Sequence, residues 1–534
     1  MPTQSRFIRH LFAGGWASDF GPNTEQPIGE GDIIQLPFLV EAENVIFEFD
    51  GGPRKAPGTS RLNSSALESG AAIKGLVDYW KTGTAATPTQ KRVLHVNTVI
   101  MKDDADGTFT NIFTGLEAGK VPAYSLFDDF LIISSDSNVD VPKSWDQTTA
   151  QDLAGSPPNF AFSVTSHNRS WAAGVAANPS RLYFSVLLDP EDWTGGGSGS
   201  IDINPDDGDS ITGIIAHKNE LWVFKGPYKG SIHRIAGTAP TGDDAFSRLL
   251  FIEGLGAVGH NTLFRARDDI GFMWSDGTIH SLAAVSSFGD FNEAALSRPI
   301  NGWLREHLNF GRLKHAWARD WGEFGQVLFS VPIDGSSNPN DILVMDYRFE
   351  PFRWSHWPSF GDVAGCLASV IDATDNNRRI VYAGGTDGFV RKLGRATRSI
   401  DGVTSINYNV KTPHINYNSA IVMKTLGGVA IGVQPKNNGN ITFGWQRDNN
   451  AQQTTTIGQG GADVLATSSG GDEFTLGTST LAGGRFVDRF SETEEGGEFR
   501  SVQFQITNNV NNEDVEMHSV SAIVSGGAWS TEND

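Results

Sequence analysis

"FMWSDGTIHSL", residues 272–282, sets Asp276-Gly277 between two apolar runs. An acid in such a place can be a catalytic group, a metal ligand or one residue of a turn. Two further stretches bear on the choice: "DGTFTNI" begins at Asp106 and "DGFVRKL" at Asp387. In all three, Asp-Gly is followed by an apolar residue at every second position. Each is preceded by a short β-rich run: "RVLHVNTVIMK", "IGFMWS" and "RIVYAGG" respectively. Asp-Gly supplies the positive φ of a tight hairpin turn, and period-two alternation marks a half-buried strand. The repeated unit is strand, turn, strand. Asp276 therefore reads as a turn residue, because the sequence nominates no fixed partner with which it could do chemistry.

The distances from 106 to 276 and from 276 to 387 hold about four and two units if each unit is a propeller blade of roughly forty to fifty residues. Other β runs fall between them: "LFDDFLIISSDSN", "RLYFSVLLDPEDW", "SITGIIAHKNELWVFKG" and "GQVLFSVPID", bounded by Gly, Pro, Asp or Asn. The pattern predicts an all-β chain. Residues 1–41 form an irregular arm. Residues 42–395 form a β-propeller of about seven blades, with six to eight the range. Residues 396–534 form an antiparallel β-sandwich, joined through "GRATRSIDGVTS" (394–405) as a linker. One short helix is expected over 296–309, with Ser297 as its cap, Pro299 in its first turn and Trp303 packed on the parent blade.

The chain has 534 residues and a formal net charge of −21. That balance disfavours a nucleic-acid grip and docking on anionic lipid, both of which need basic surface. A single cysteine, Cys366, excludes an intrachain disulfide, and its setting in "VAGCLASV" reads as a small core residue. No apolar run approaches the length of a membrane helix, and the start has no signal-peptide stretch, so assembly in a cytoplasm is expected.

Searches for chemistry meet broken patterns. "DDADG" (103–107) lacks the acid at the first position of a calcium loop and the glutamate at the twelfth. "GLEAGK" (115–120) has the wrong glycine spacing for a phosphate loop and is followed by Val121. "SDGTIHSL" is similar to the Asp-box turn of sialidases but lacks its tryptophan. The aromatic run "YRFEPFRWSHWPSF" (347–360) reads as packing between sheets before it reads as a sugar platform. Neither a catalytic residue, nor a metal ligand, nor a cofactor site is expected.

An ordered set of phrases carries a family resemblance: "LPFLVEAENVIFEFDGGPRKAPGTSRL" (36–62), "RLYFSVLLDPEDWTGG" (181–196), "ITGIIAHKNELWVFKGPYKGSIHRIAG" (211–237), "GLGAVGHNTLFRARDDIGFMWSDGTIHSL" (254–282) and "LSRPING" (296–302). Together they resemble the propeller-containing tail proteins of tailed bacteriophages, in plan the tail nozzle or hub of short-tailed phages. The resemblance implies a non-enzymatic virion protein, assembled in the host cytoplasm into a homohexameric ring below the portal and adaptor. Its implied partners are copies of itself, the portal-side tail proteins and tail fibre or needle proteins. Genomic DNA would pass through without specific binding, and no membrane segment is implied. An acidic lumen would let DNA slide, and "SETEEGGE" (491–498) is a candidate for it. The alternatives are a receptor- or glycan-binding propeller at the tail tip and, behind it, a glycan-degrading propeller enzyme.

The turn reading makes a direct prediction. Asp276→Ala should be mild, whereas Gly277→Val should cost roughly 1–3 kcal/mol, because a β-branched residue resists positive φ. Thermal melts of both variants check it, and equal melting temperatures for Gly277→Val and the parent would contradict it.

Overall fold

The computed structural model describes residues 5–19, 33–83, 88–103, 107–288, 295–373, 375–394, 397–434, 440–448, 450–458, 487–492 and 498–525. The chain divides into two compact units: residues 60–343 with 360–393, and residues 1–59 with 344–359 and 394–534.

The first unit is a seven-bladed β-propeller. Each blade begins with its innermost strand: Ile73–Lys81, Pro122–Phe127, Phe162–Ser166, Ser210–His217, Phe264–Ala266, Trp317–Trp321 and Cys366–Asp372. Neighbouring inner strands touch in that order, except that blade four meets blade five through the 3-10 turn His260–Thr262, and Cys366–Asp372 returns to Ile73–Lys81, which closes the ring. The outer strand of blade seven is Gly58–Arg61, taken from the opposite end of the propeller sequence. Leu62 N donates to Val390 O at 2.8 Å. The Asn63 side chain donates to Gly388 O at 3.0 Å and accepts from Val390 N at 2.8 Å. It thereby stands in for one more rung of the ladder.

Aromatic side chains fill the gaps between blades. Tyr79 meets Trp145 edge-on between blades one and two, and Phe160 meets Trp193 beneath blades two and three. Trp171 and Phe184 pack with Phe246 between blades three and four, and Phe224 meets Phe272 between four and five. Such pairs add directional attraction to the burial of large apolar area.

The three Asp-Gly turns lie in blades one, five and seven, at the expected intervals of four and two. Gly107, Gly277 and Gly388 have φ of 80°, 85° and 78°. Asp276 keeps negative φ, so the turn is a type I turn followed by left-handed glycine and not the mirror-image turn expected. Its Oδ1 accepts from Thr278 N at 2.9 Å and from Thr278 Oγ1 at 2.5 Å. A Cβ on Gly277 would lie 2.6 Å from Leu308 Cδ1, which adds a clash to the strain. Asp106 lies outside the described residues.

The second unit is a β-sandwich. One sheet runs Ile33–Leu36, Ser5–Phe12, Met517–Ser525, Lys424–Val433, Val487–Glu492, and the other includes Arg353–His356, Glu41–Glu43, Tyr408–Lys411, Val502–Asn508, Asn440–Arg447 and Gln453–Gly458. His10 of the first sheet sits 5.5 Å from the Phe504 ring of the second.

Four expectations need correction. The arm at 1–41 is not irregular: Ile8, His10 and Phe12 alternate as buried residues of a sandwich strand, a period-two signal that "RFIRHLF" carries. Residues 42–57 belong to the sandwich unit and not to the propeller, and the unit boundaries fall inside the strands Gly58–Arg61 and Asp341–Asp346. The segment 394–405 is not a solvated linker, because Arg398, Ser399 and Ile400 are buried. The helix over 296–309 shrinks to a 3-10 turn, Arg298–Ile300, and a helix α2, Asn301–His307; a second short helix, α1, spans Leu282–Phe288. Ser297 does not cap α2, because its hydroxyl accepts from Ile279 N at 2.9 Å and donates to Asn301. Trp303 is half-buried and packs on His307 at 4.8 Å.

A charged cluster pins the sandwich unit. Arg54 reaches Asp514 at 2.6 Å and Glu48 at 2.9 Å, and Arg398 reaches Asp514 at 2.8 Å. Burial opposes the charge on Asp514, but the two arginines outweigh it and hold the carboxyl below its usual range. The arginines themselves shift in opposite directions. Burial depresses Arg398, the deeper of the two, whereas Arg54 rises against its burial because it holds several acids.

A carboxylate depressed in the folded state contributes stability that is present above its unfolded pKa of about 3.9 and is lost as pH falls through the folded value. Asp514→Asn should therefore lower stability at neutral pH by on the order of 3 kcal/mol, by leaving the arginines short of an acid. It should also flatten the acid limb below about pH 4. Melting curves against pH for parent and variant test both statements; parallel curves would contradict them.

Candidate functional site

Seven inner strands leave a space along the propeller axis, and one turn occupies its middle. Blade five has a short inner strand, and the 3-10 turn His260–Thr262 precedes it. Four other blades hold this turn. Asn261 Nδ2 donates to Pro122 O of blade two at 3.0 Å. The His260 ring stacks on Phe162 of blade three, with centroids 4.8 Å apart and the planes nearly parallel. Ile214 of blade four points its N–H at His260 Nδ1 at 3.5 Å. Arg319 of blade six donates to Asn261 O at 3.5 Å. Burial, and then the Arg319 charge, push the His260 pKa down to about 3. The imidazole is neutral, and with Nδ1 accepting, Nε2 carries the proton.

His260 and Asn261 line three cavities along this axis. One of about 400 Å³ lies toward the C-terminal ends of the inner strands, beside Tyr124–Leu126, Ser163–Thr165 and Ile214–Ile215. One of about 250 Å³ lies toward their starts, beside Pro122, Ser210 and Ile211. A third of about 200 Å³ adjoins Asp78 and Ser369.

Their charges differ. The 250 Å³ cavity carries Asp136 with Lys314, 3.3 Å apart. The 200 Å³ cavity shares Arg319 and carries Asp78, whose carboxylate accepts from Gln90 Nε2, Trp80 Nε1 and Ile371 N at 2.7, 2.9 and 3.0 Å. The 400 Å³ cavity has no Asp or Glu in its described lining and carries Arg265 and Arg319. Burial lowers the pKa of Arg319 to about 10 and lowers that of Arg265, while both stay cationic at neutral pH.

The residues singled out in sequence lie elsewhere. Asp276 and Asp387 sit in turns, Asp387 bound to Arg391. Asp103 of "DDADG" is buried and paired with Arg92 at 3.0 Å, and residues 104–106 lie outside the described set. Lys120 of "GLEAGK" pairs with Glu117 at 3.1 Å. Trp354, Trp357 and Phe360 of the aromatic run are fully buried and present no platform for a sugar. Residues 493–497, the heart of "SETEEGGE", lie outside the described residues. Among the described residues, no group of three or more His, Cys, Asp or Glu could hold a metal ion, and no helix is long and apolar enough to cross a membrane. The axial arginines escaped the sequence reading because no motif marks them. The signal that could have found Arg319 is a lone cation within "AWARDW", the alternating run of an inner strand.

A second feature is a surface. The outermost strand of blade four, Ser247–Glu253, pairs among the described residues only with Ser231–Ala236, and Leu249, Leu250 and Phe251 are all exposed on it.

No family model and no curated protein matches the chain. Among solved structures, it is similar to YCF48 bound to D1 peptide, at 12% identity and a TM-score of 0.37, over 62% of this chain and 93% of that one. It is also similar to the Cps50 (Swd1) beta-propeller domain of Myceliophteria thermophila, at 10% identity and a TM-score of 0.38, over 62% and 98%. The seven-bladed assignment rests on the sheets themselves.

Cys366 lies in the inner strand of blade seven, and burial pushes its thiol up to about 12. It should resist a disulfide reagent at pH 8 in the folded protein and react stoichiometrically once unfolded. Fast labelling of the native chain would contradict this burial.

Proposed function

We propose that the chain is a structural protein of a bacteriophage virion, a subunit of a nozzle or hub ring in the tail below the portal and adaptor. The ring would be a homohexamer assembled in the host cytoplasm. It would pass genomic DNA without holding it and offer attachment points to other tail proteins, fibres or needle among them.

The observation that carries the reading is the free strand Ser247–Glu253. An open β edge with three large exposed apolar residues is a ready template for a second chain, and monomeric proteins guard against such edges with charge, proline or cover. Here the edge is left apolar on a chain whose net charge of −21 otherwise keeps copies apart. The order of the sequence phrases supplies the kind of assembly. Two observations weigh against the alternatives. Trp354, Trp357 and Phe360 of the aromatic run are buried, which weakens the best candidate for a glycan platform. The 400 Å³ axial cavity lacks the carboxylate pair a glycan hydrolase needs among its described lining. On this reading the chain has no catalytic role.

The test is sedimentation over salt and protein concentration. Screening shortens the reach of charge, so a species of about 346 kDa, six copies of the 57.6 kDa chain, should grow from monomer as salt rises from about 0.05 to about 0.5 M. Leu250→Lys should block it without lowering the melting temperature. A monomer under every condition, or rings indifferent to Leu250→Lys, would contradict the reading.

A further inference from the structure

We propose that the 400 Å³ axial cavity of the propeller is a binding site for an organic oxyanion, a carboxylate or phosphate carried on a small, partly apolar body.

The argument begins with charge. Arg265 and Arg319 come from different blades and line one cavity in a strongly acidic protein. Desolvation disfavours both charges, most of all that of the deeply buried Arg319. Neither has a carboxylate partner among the described residues. Arg319 donates only to backbone carbonyls, Ala318 O at 2.7 Å and Asn261 O at 3.5 Å. Arg265 donates to Ala216 O. A guanidinium carries five N–H donors in a planar fork that matches carboxylate and phosphate, so most of this capacity is unused.

Neutral donors point the same way. The proton of neutral His260 sits on Nε2, and the hydroxyls of Ser125 and Ser163 are 2.6 Å apart on the same wall. An oxyanion bound here would accept from Arg319 and His260 and would replace the hydration that burial denies the guanidinium.

Size and polarity set the class of ligand. The volume is within the range of about 300–1,000 Å³ usual for small-molecule sites. The remaining wall is apolar, with Val164, Ile214 and Leu263 prominent, so a bare inorganic ion would leave it unfilled. Exposed Arg265 and Leu126 stand at the mouth, which gives a route of entry. The site is a property of one propeller and does not depend on the ring assembly proposed above.

The experiment is calorimetric titration of the full chain at low salt with three probes: glucuronate, glucose 1-phosphate and uncharged glucose. The first two separate carboxylate from phosphate as the preferred source. At least one should bind with one site per chain, and glucose should not. Arg319→Gln and Arg265→Gln should each weaken that binding tenfold or more. Arg319→Lys, which keeps the charge and loses the fork, should fall between Arg319→Gln and the parent. Arg234→Gln on the outside of blade four should leave binding unchanged. Should Arg319→Gln fail to fold, Arg265→Gln at the exposed mouth carries the test. Absence of binding by both anions, equal binding of glucose, or binding undiminished in Arg265→Gln would overturn the proposal.

Discussion

A propeller is a ring of sheets with no end caps, so its stability hangs on the seam where the last blade meets the first. Here the seam is made by Leu62 and the Asn63 side chain against Val390 and Gly388. Residues that open the propeller sequence complete the blade that ends it, so the chain cannot peel away blade by blade from a free terminus of the ring. The Arg61 guanidinium over the Phe389 ring, 3.8 Å away, covers the joint. Local hairpin contacts could form each blade alone. Only this long-range pairing forces all seven to share one axis, and the loop it closes is the slow, entropically costly step of such folds.

Once the ring is closed, the space at its centre is set by blade number, and the chain fills part of it with an irregular element. The turn His260–Thr262 is held by the inner strands of four other blades, and it partitions the axis into cavities of unlike charge. The fifth blade contributes a short inner strand in consequence. Regular structure is given up where a side chain, and not a backbone ladder, is wanted on the axis. The same trade explains why Arg319 can sit inward: its neighbour Trp317 packs against the guanidinium at 4.8 Å, and backbone carbonyls take its protons.

Blade number and strand period were legible in the sequence because both rest on local chemistry. Gly107, Gly277 and Gly388 mark turns whose φ only glycine adopts cheaply, and alternation marks the strands around them. Domain ownership was not legible. Residues 42–57 read as the opening of the propeller, yet they belong to the sandwich unit, where Val45 O accepts from Trp357 Nε1, more than three hundred residues away in sequence. Nothing in a strand's own pattern tells which sheet it will join. The buried segment 398–400 misled for a related reason, since Arg398 looks solvated until Asp514 is known to lie beside it. The axial site was the least legible of all, being assembled from short pieces of six blades.

Native-state hydrogen exchange at Leu62 and Val390 tests the closure claim most directly. Both amides are bonded only across the seam, so they report its opening and nothing else. The account predicts that they exchange with the free energy of the whole propeller, together with the inner-strand amides of blades one and seven. Fast exchange at Leu62 and Val390 while those inner strands stay protected would contradict it, because the ring would then hold without its seam.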